Sequence, residues 1–299
     1  MIDRIVFLSF YAKSLVFLLL ALCLSPRFVN ADCNSCDLPT LFAWAGTQVQ
    51  PRGNVFAEPL QTDRPDFTEA SSTVGRGVLQ LEMGYLYVED ENFGGERLSG
   101  HAYPNSLLRV GLFRDWFELR VGWTVLDESL RGQGIRESAV GSDDLQLGTK
   151  LALTQQCGLR PEMALILQMT LPTGSPEFTA DKVLAGGILI YKLDLNDWCS
   201  VAGQTQLLGE VDDLGHDFNE FGQSAVVNLS LTEQWGTYVE WFGLMPDSAI
   251  SPTAKPTHYM DGGFTYLVND NLQLDILAIL GLNEAAVDYG LGAGIAARF

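Results

Sequence analysis

From Val78 to Phe299 the chain is built of short segments that alternate with period two. Leu79, Leu81, Met83, Tyr85 and Tyr87 fall on one face, and Gln80, Glu82 and Gly84 on the other. Phe117, Leu119, Val121, Trp123 and Val125 oppose Glu118, Arg120, Gly122 and Thr124, and Leu272, Leu274, Ile276 and Ala278 oppose Gln273 and Asp275. Leu145, Leu147, Leu151 and Leu153 likewise oppose Gln146, Gly148, Lys150 and Ala152. Alternation of this kind is the mark of a strand with two unlike faces. After Ala31 no apolar run approaches the roughly 20 residues a spanning helix needs. If such a chain enters a membrane it must do so as a closed barrel, because closure alone leaves no backbone group unpaired in lipid. One greasy face and one polar or small face per strand fits hydrocarbon outside and polar groups within.

Twelve segments are expected, at 78–89, 101–113, 117–125, 143–154, 161–171, 183–194, 198–208, 218–232, 237–246, 256–268, 271–281 and 286–299. The segment 183–194 is apolar on both faces, so its orientation stays open. Connections after even segments are tight, as at Arg114-Asp115-Trp116, Asn196-Asp197, Glu233 to Gly236 and Asn269-Asp270. Those after odd segments are longer, as at 126–142 and 246–256. Short periplasmic turns and longer external loops alternate in this way when both termini lie in the periplasm. Trp116, Trp198 and Trp235 fall at the short turns, where an interfacial aromatic girdle would sit. The fold class expected is all-β, a transmembrane antiparallel up-and-down barrel of about 12 strands.

The first 31 residues read as a signal peptide: basic Arg4 and Lys13, an apolar run from Val16 to Leu24, and small Ala31 at the cleavage position. Ser9, Lys13 and Ser14 interrupt the stretch and argue against a membrane anchor, and bulky Leu22 before Cys23 argues against a lipoprotein. Three domains follow: 1–31 signal peptide, 32–76 periplasmic segment that partly plugs the barrel, and 77–299 barrel. A formal charge of −19 excludes nucleic acid as a partner, since phosphate backbones select clustered Lys and Arg. With three His and no metal-ligand spacing, no metal or cofactor is expected. Cys33 and Cys36 form a lone CxxC, while Cys157 and Cys199 lie near turns two strands apart. That is about 10 Å at ~4.8 Å per strand, beyond ordinary disulfide reach unless a turn bends. The disulfide status of all four is left open.

The last segment places Val287, Tyr289, Leu291, Ala293, Ile295, Ala297 and Phe299 on one face. A terminal Phe299 on such a strand looks like the signal read by the outer-membrane assembly machinery. The string Thr62-Asp63-Arg64-Pro65-Asp66-Phe67-Thr68-Glu69, followed by Gly77-Val78-Leu79-Gln80-Leu81-Glu82, resembles the opening of the MetA-pathway of phenol degradation family. Leu107 to Leu112, Phe117 to Gly122, Asp144 to Leu151 and the Leu171-Pro172-Thr173-Gly174 turn are similar to its later strands, and the resemblance covers roughly 60–299. It implies an outer-membrane barrel acting as a transporter. Asp143-Asp144 departs from the usual Gly-Asp, and 210–260 matches only in pattern.

If the greasy face meets lipid, the pore is lined by Glu82, Arg109, Glu118, Arg120, Lys150, Glu240, Asp261, Asp275 and Asp288. Arg109, Arg120 and Lys150 would then look across the lumen at Glu240, Asp261, Asp275 and Asp288, setting up a transverse field. The competing expectation is that these groups pair within a narrow, filled interior. Residues 61–72 would insert, with Arg64 answering a lumen carboxylate and the acids Asp63, Asp66 and Glu69 answering Arg109 or Arg120. The function expected is passive passage of small, aromatic or hydrophobic molecules across the outer membrane. The alternative is a closed-lumen structural or adhesion barrel, its acidic loops gathering divalent cations that bridge lipopolysaccharide. Catalysis is not expected, since no His is followed two residues on by a Ser: His101, His216 and His258 precede Ala102-Tyr103, Asp217-Phe218 and Tyr259-Met260. The partners are outer-membrane lipid and lipopolysaccharide, the barrel assembly machinery and a small-molecule solute.

Overall fold

The computed structural model describes residues 40–43, 54–93, 95–132 and 134–299. The leader and Cys33-Cys36 lie outside the described residues. The described residues form thirteen strands, in order. The first five are β1 (Leu79–Phe93), β2 (Glu96–Gly111), β3 (Phe117–Gly132), β4 (Ile135–Ser142) and β5 (Leu145–Thr154). Next come β6 (Glu162–Leu171), β7 (Leu184–Asn196), β8 (Cys199–Val211) and β9 (Asp217–Ser230). The last four are β10 (Trp235–Asp247), β11 (Thr257–Asn269), β12 (Leu272–Gly281) and β13 (Tyr289–Arg298).

Every pairing is antiparallel, and β13 returns to β1 in unbroken register from Gln80↔Arg298 to Glu89↔Tyr289. That last pairing abolishes the sheet edge. The lower half of β3 pairs with β5 and its upper half with β4, so β4 and β5 form one wall strand interrupted at Asp143-Asp144. The wall is therefore twelve strands around. The reading of 126–142 as an external loop is corrected: it is a hairpin that extends the wall and turns at Gly134, whose φ of 87° suits glycine. Its alternation is masked because both faces are polar there (Asp127, Glu128, Ser129 and Arg131), which leaves no hydrophobic parity to read.

Exposure follows the barrel, inverted from a soluble protein. Leu207, Ile276 and Leu291 point outward and are 53%, 56% and 53% exposed, whereas Glu82, Arg109, Glu118 and Lys150 point inward and are 0% exposed. Hydrocarbon outside and a filled polar interior produce that inversion. The orientation of 183–194 resolves here: Ile188 and Ile190 face inward and pack with Ala164 and Ile166 of β6 as a dry inner patch. The turns at 112–116, 155–161, 197–198, 231–234 and 270–271 share one end with Val78 and Phe299; this is called the near end. Cys157 and Cys199, both at near-end turns, are disulfide-bonded.

Residues 60–78 form a loop pushed into the barrel from the near end. It is anchored on entry by the Leu60 N–H on the Asp270 carbonyl (2.8 Å) and on exit by the Gly77 N–H on the Gly111 carbonyl (2.8 Å). Thr73 Oγ1 and the Arg76 N–H both donate to Asp115 in the adjoining turn.

Candidate functional site: the lumen and the segment it encloses

A sealed lumen lined by Glu, Asp, Arg, Lys and Gln cannot leave those groups unpartnered without a desolvation cost of several kcal/mol each. The inserted loop supplies the partners. Asp63 is the hub. One oxygen accepts Lys150 Nζ (2.6 Å) and the Ala70 N–H (2.9 Å). The other is ion-paired with Arg120 and with Arg109 Nε (3.2 Å). Arg109 is held in turn by Glu118 (2.8 Å) and Glu82 (3.0 Å), and donates to the carbonyls of Gln61 and Ser72 on the loop. Glu69 takes Arg120 Nη2 at 2.7 Å. The Asp63 N–H donates to Glu82, and the Val74 N–H to Glu118.

The opposite wall holds the loop by different means. Arg64 crosses to Asp275 of β12, 3.0 Å away. Its guanidinium lies over Gly84 and Gly294, which are paired across the closing β1–β13 seam, and a Cβ on either glycine would run into it. Gly84 and Gly294 thus clear a trough for one arginine. Glu240 of β10 accepts the Phe67 N–H (2.6 Å), the Thr68 N–H (3.3 Å) and Thr68 Oγ1. Thr68 Oγ1 also meets Ser224 Oγ. Gln204 accepts the Glu69 N–H at 2.9 Å, and Gln273 donates to Thr62 Oγ1 at 2.9 Å.

Of the nine wall residues expected in the lumen, eight point inward. Asp288 does not. It is exposed in the β12–β13 connection at the far rim, where it accepts the Glu91 N–H at 2.8 Å. The strand begins only at Tyr289, so parity carried back to 286 runs past its end. The transverse field is likewise corrected. Arg109, Arg120 and Lys150 sit among Glu82 and Glu118 and against Asp63, so the two walls face the loop rather than one another. Four neutral residues that grip the loop, Gln80, Gln204, Ser224 and Gln273, carry no charge to single them out. Their only signal is inward parity.

The loop divides the lumen. On its far side lies a cavity of about 450 Å³, lined by Asp66, Phe67, Leu86, Phe242, Leu277 and Ile279 among others. On its near side lies a second of about 260 Å³, lined by Lys192, Ser200, Asn228 and Tyr238 among others. Arg64, Pro65, Asp66 and Glu69 line both. Phe67 stacks on Phe242 (4.4 Å between centroids, 8° between planes), and Phe242 on Tyr259 (4.8 Å, 22°). These rings give the charged interior a local apolar wall.

At the far end, Asp144 sits where β4 and β5 break. Burial pushes its carboxyl up, but the N–H groups of Ala180 (3.0 Å), Gly174 (2.9 Å) and Thr173 (3.0 Å) outweigh this and hold it below the usual range. Thr173 Oγ1 in turn accepts the Leu145 N–H at 3.1 Å. Asp144 and the Pro172-Thr173-Gly174 turn are therefore one unit, though the sequence keeps them apart. Asp212 plays the same part for the loops after β8 and β10. Burial raises its carboxyl, and the N–H groups of His216, Ser251, Ile250 and Leu214 bring it below its ordinary value.

The fold has solved counterparts. The COG4313 outer membrane channel from Pseudomonas putida F1 superposes with a TM-score of 0.64 at 11% identity, over 79% of this chain and 99% of that one. At that identity the likeness establishes the fold. The transport unit of the autotransporter AIDA-I from Escherichia coli gives 0.49 at 10% identity, over 78% and 92%. No curated protein matches the chain in sequence. The family model of the MetA-pathway of phenol degradation matches residues 62–299, which take in all but the first two residues of the inserted loop and every strand of the wall, and the chain belongs to that family.

Proposed function

We propose that the chain is a passive outer-membrane channel for small molecules, with apolar or aromatic solutes as its cargo and residues 60–78 as its internal barrier. The observation that carries this reading is the pair of cavities of about 450 and 260 Å³ parted by the inserted loop, whose Arg64, Pro65, Asp66 and Glu69 line both. A lumen meant only as scaffold would have no use for an aromatic and aliphatic patch of Phe67, Phe242, Leu277 and Ile279 above a charged constriction. The near end, with its short turns and both ends of the wall at Val78 and Phe299, faces the periplasm, as in single-chain outer-membrane barrels. On this reading 1–31 is the leader, 32–76 the segment that supplies the barrier, and 77–299 the membrane-embedded wall. The lumen carboxylates and cations position the loop and set the polarity of the passage; they are assigned no chemistry.

The closed structural barrel is the second reading, favoured by the density of ion pairs around Asp63. Two measurements separate them. Whole-cell uptake of a small aromatic such as phenol, with and without the protein, should rise when it is present. Planar-bilayer recordings should show rare openings in the intact protein and sustained conductance when residues 61–72 are deleted. A correctly folded protein that gives neither uptake nor conductance in both forms overturns the channel.

A further inference from the structure

Four cations at the contact between loop and wall are spoken for: Arg109, Arg120 and Lys150 by Asp63, Glu69, Glu82 and Glu118, and Arg64 by Asp275. Three carboxylates remain. Glu240 and Asp261 are direct partners across β10–β11 and are 1% and 4% exposed. Asp66, on the loop, does not meet Arg109 or Arg120 as expected: the charges that act on it most are those of Glu240 and Asp261, both acidic. Among the described residues no Lys, Arg or His lies within ion-pair distance of Asp66, Glu240 or Asp261. Asp261 Oδ2 accepts Tyr238 Oη at 3.0 Å, but its Oδ1 is buried with no hydrogen-bond partner. Asp66 and Asp261 both line the 450 Å³ cavity, and so do Phe67, Phe242, Leu277 and Ile279.

We infer that this cluster is a cation subsite in the solute path, and that it takes the ammonium head of a small amphiphilic amine whose apolar part lies on Phe67, Phe242, Leu277 and Ile279. A buried carboxylate oxygen without a partner calls for a donor with positive charge. An ammonium brings three N–H donors. Asp261 Oδ1 and Asp66 accept two of them, and the ring faces beside them add cation–π attraction. A hard divalent ion fits less well, since it wants six to eight oxygens in place of an apolar wall. The inference rests on the lumen being the solute path. It narrows the solute from any apolar molecule to one carrying a single positive charge.

The test is calorimetry on the full mature protein in detergent, with phenethylammonium, its neutral counterpart 2-phenylethanol, and calcium chloride as probes. The amine should bind at least about tenfold more tightly than the alcohol, the ratio expected of one charge-assisted hydrogen bond. The preference for amine over alcohol should vanish in Asp261→Asn. Asp66→Asn, which leaves the wall untouched, should weaken the amine in the same direction, so the test survives if the wall variant does not fold. Equal affinity for amine and alcohol overturns the inference. So does full displacement of the amine by millimolar calcium, which would make this an inorganic-cation site. Because binding is read without transport, amine preference without uptake leaves the subsite and removes the channel, whereas aromatic uptake without amine preference does the reverse.

Discussion

Replacing Asp63 with Asn should unlatch the loop while leaving the barrel standing. The Asp63 carboxylate contacts three buried cations, Arg109, Arg120 and Lys150, and the side chains of Asp63, Arg109 and Lys150 are at most 3% exposed. The amide keeps the shape and one acceptor, for Lys150 or the Ala70 N–H, but removes the charge. Breaking a buried ion pair from one side costs about 3–5 kcal/mol. At about 1.4 kcal/mol per decade, the undocked fraction of the loop rises at least ~100-fold. The wall is closed by its own ladder between β1 and β13, in which Asp63 has no part, so closure should be unaffected. The assay is single-channel recording in planar bilayers, paired with the heat-dependent shift in gel mobility that reports a closed barrel. The expected result is an unchanged shift and openings about two orders of magnitude more frequent. An opening frequency within a few-fold of the parent protein would refute the latch. A lost mobility shift would refute the independence of wall and loop.

Three further outcomes follow from the same geometry. Gly294→Val puts a side chain where the Arg64 guanidinium lies, so it should open the channel as Arg64→Ala does, and the double variant should add little to either alone. Asp144 and Asp212 have carboxyls held below their ordinary value of 3.8 in the folded protein. Their stabilisation of the loops 172–183 and 248–256 is therefore complete above that value and is lost as pH falls below it through the lowered one. Amide exchange in those loops should be slow at pH 5 and accelerate only below pH 4, whereas Asp144→Asn should already accelerate exchange at Thr173, Gly174 and Ala180 at neutral pH.

Much of this architecture was written in parity. The alternation of Leu79 to Tyr87 or Leu272 to Ala278 names the lipid face outright, since a one-residue slip would turn charges into hydrocarbon. It also places Arg109, Arg120, Lys150, Glu240, Asp261 and Asp275 inside. Parity is silent where both faces are alike, which hid β4, and past the end of a strand, which misplaced Asp288. It also says which face a residue takes but not what it meets there. Some partners of Arg109 and the N–H groups that Glu240 accepts sit on a loop with no period, and only packing shows that Glu82 and Glu118 stand among the cations. Asp144 and Gly174 are joined through backbone N–H groups, a bond type that no residue pattern announces.

The most direct measurement uses the contact between Thr68 Oγ1 and Ser224 Oγ, which joins the loop to β9. With Thr68→Cys and Ser224→Cys in one chain, oxidation should staple the loop in place and silence conductance, and a reductant should restore openings beyond any effect it has on the parent protein. Equal conductance in the stapled and reduced states would mean that solutes do not pass where this loop stands.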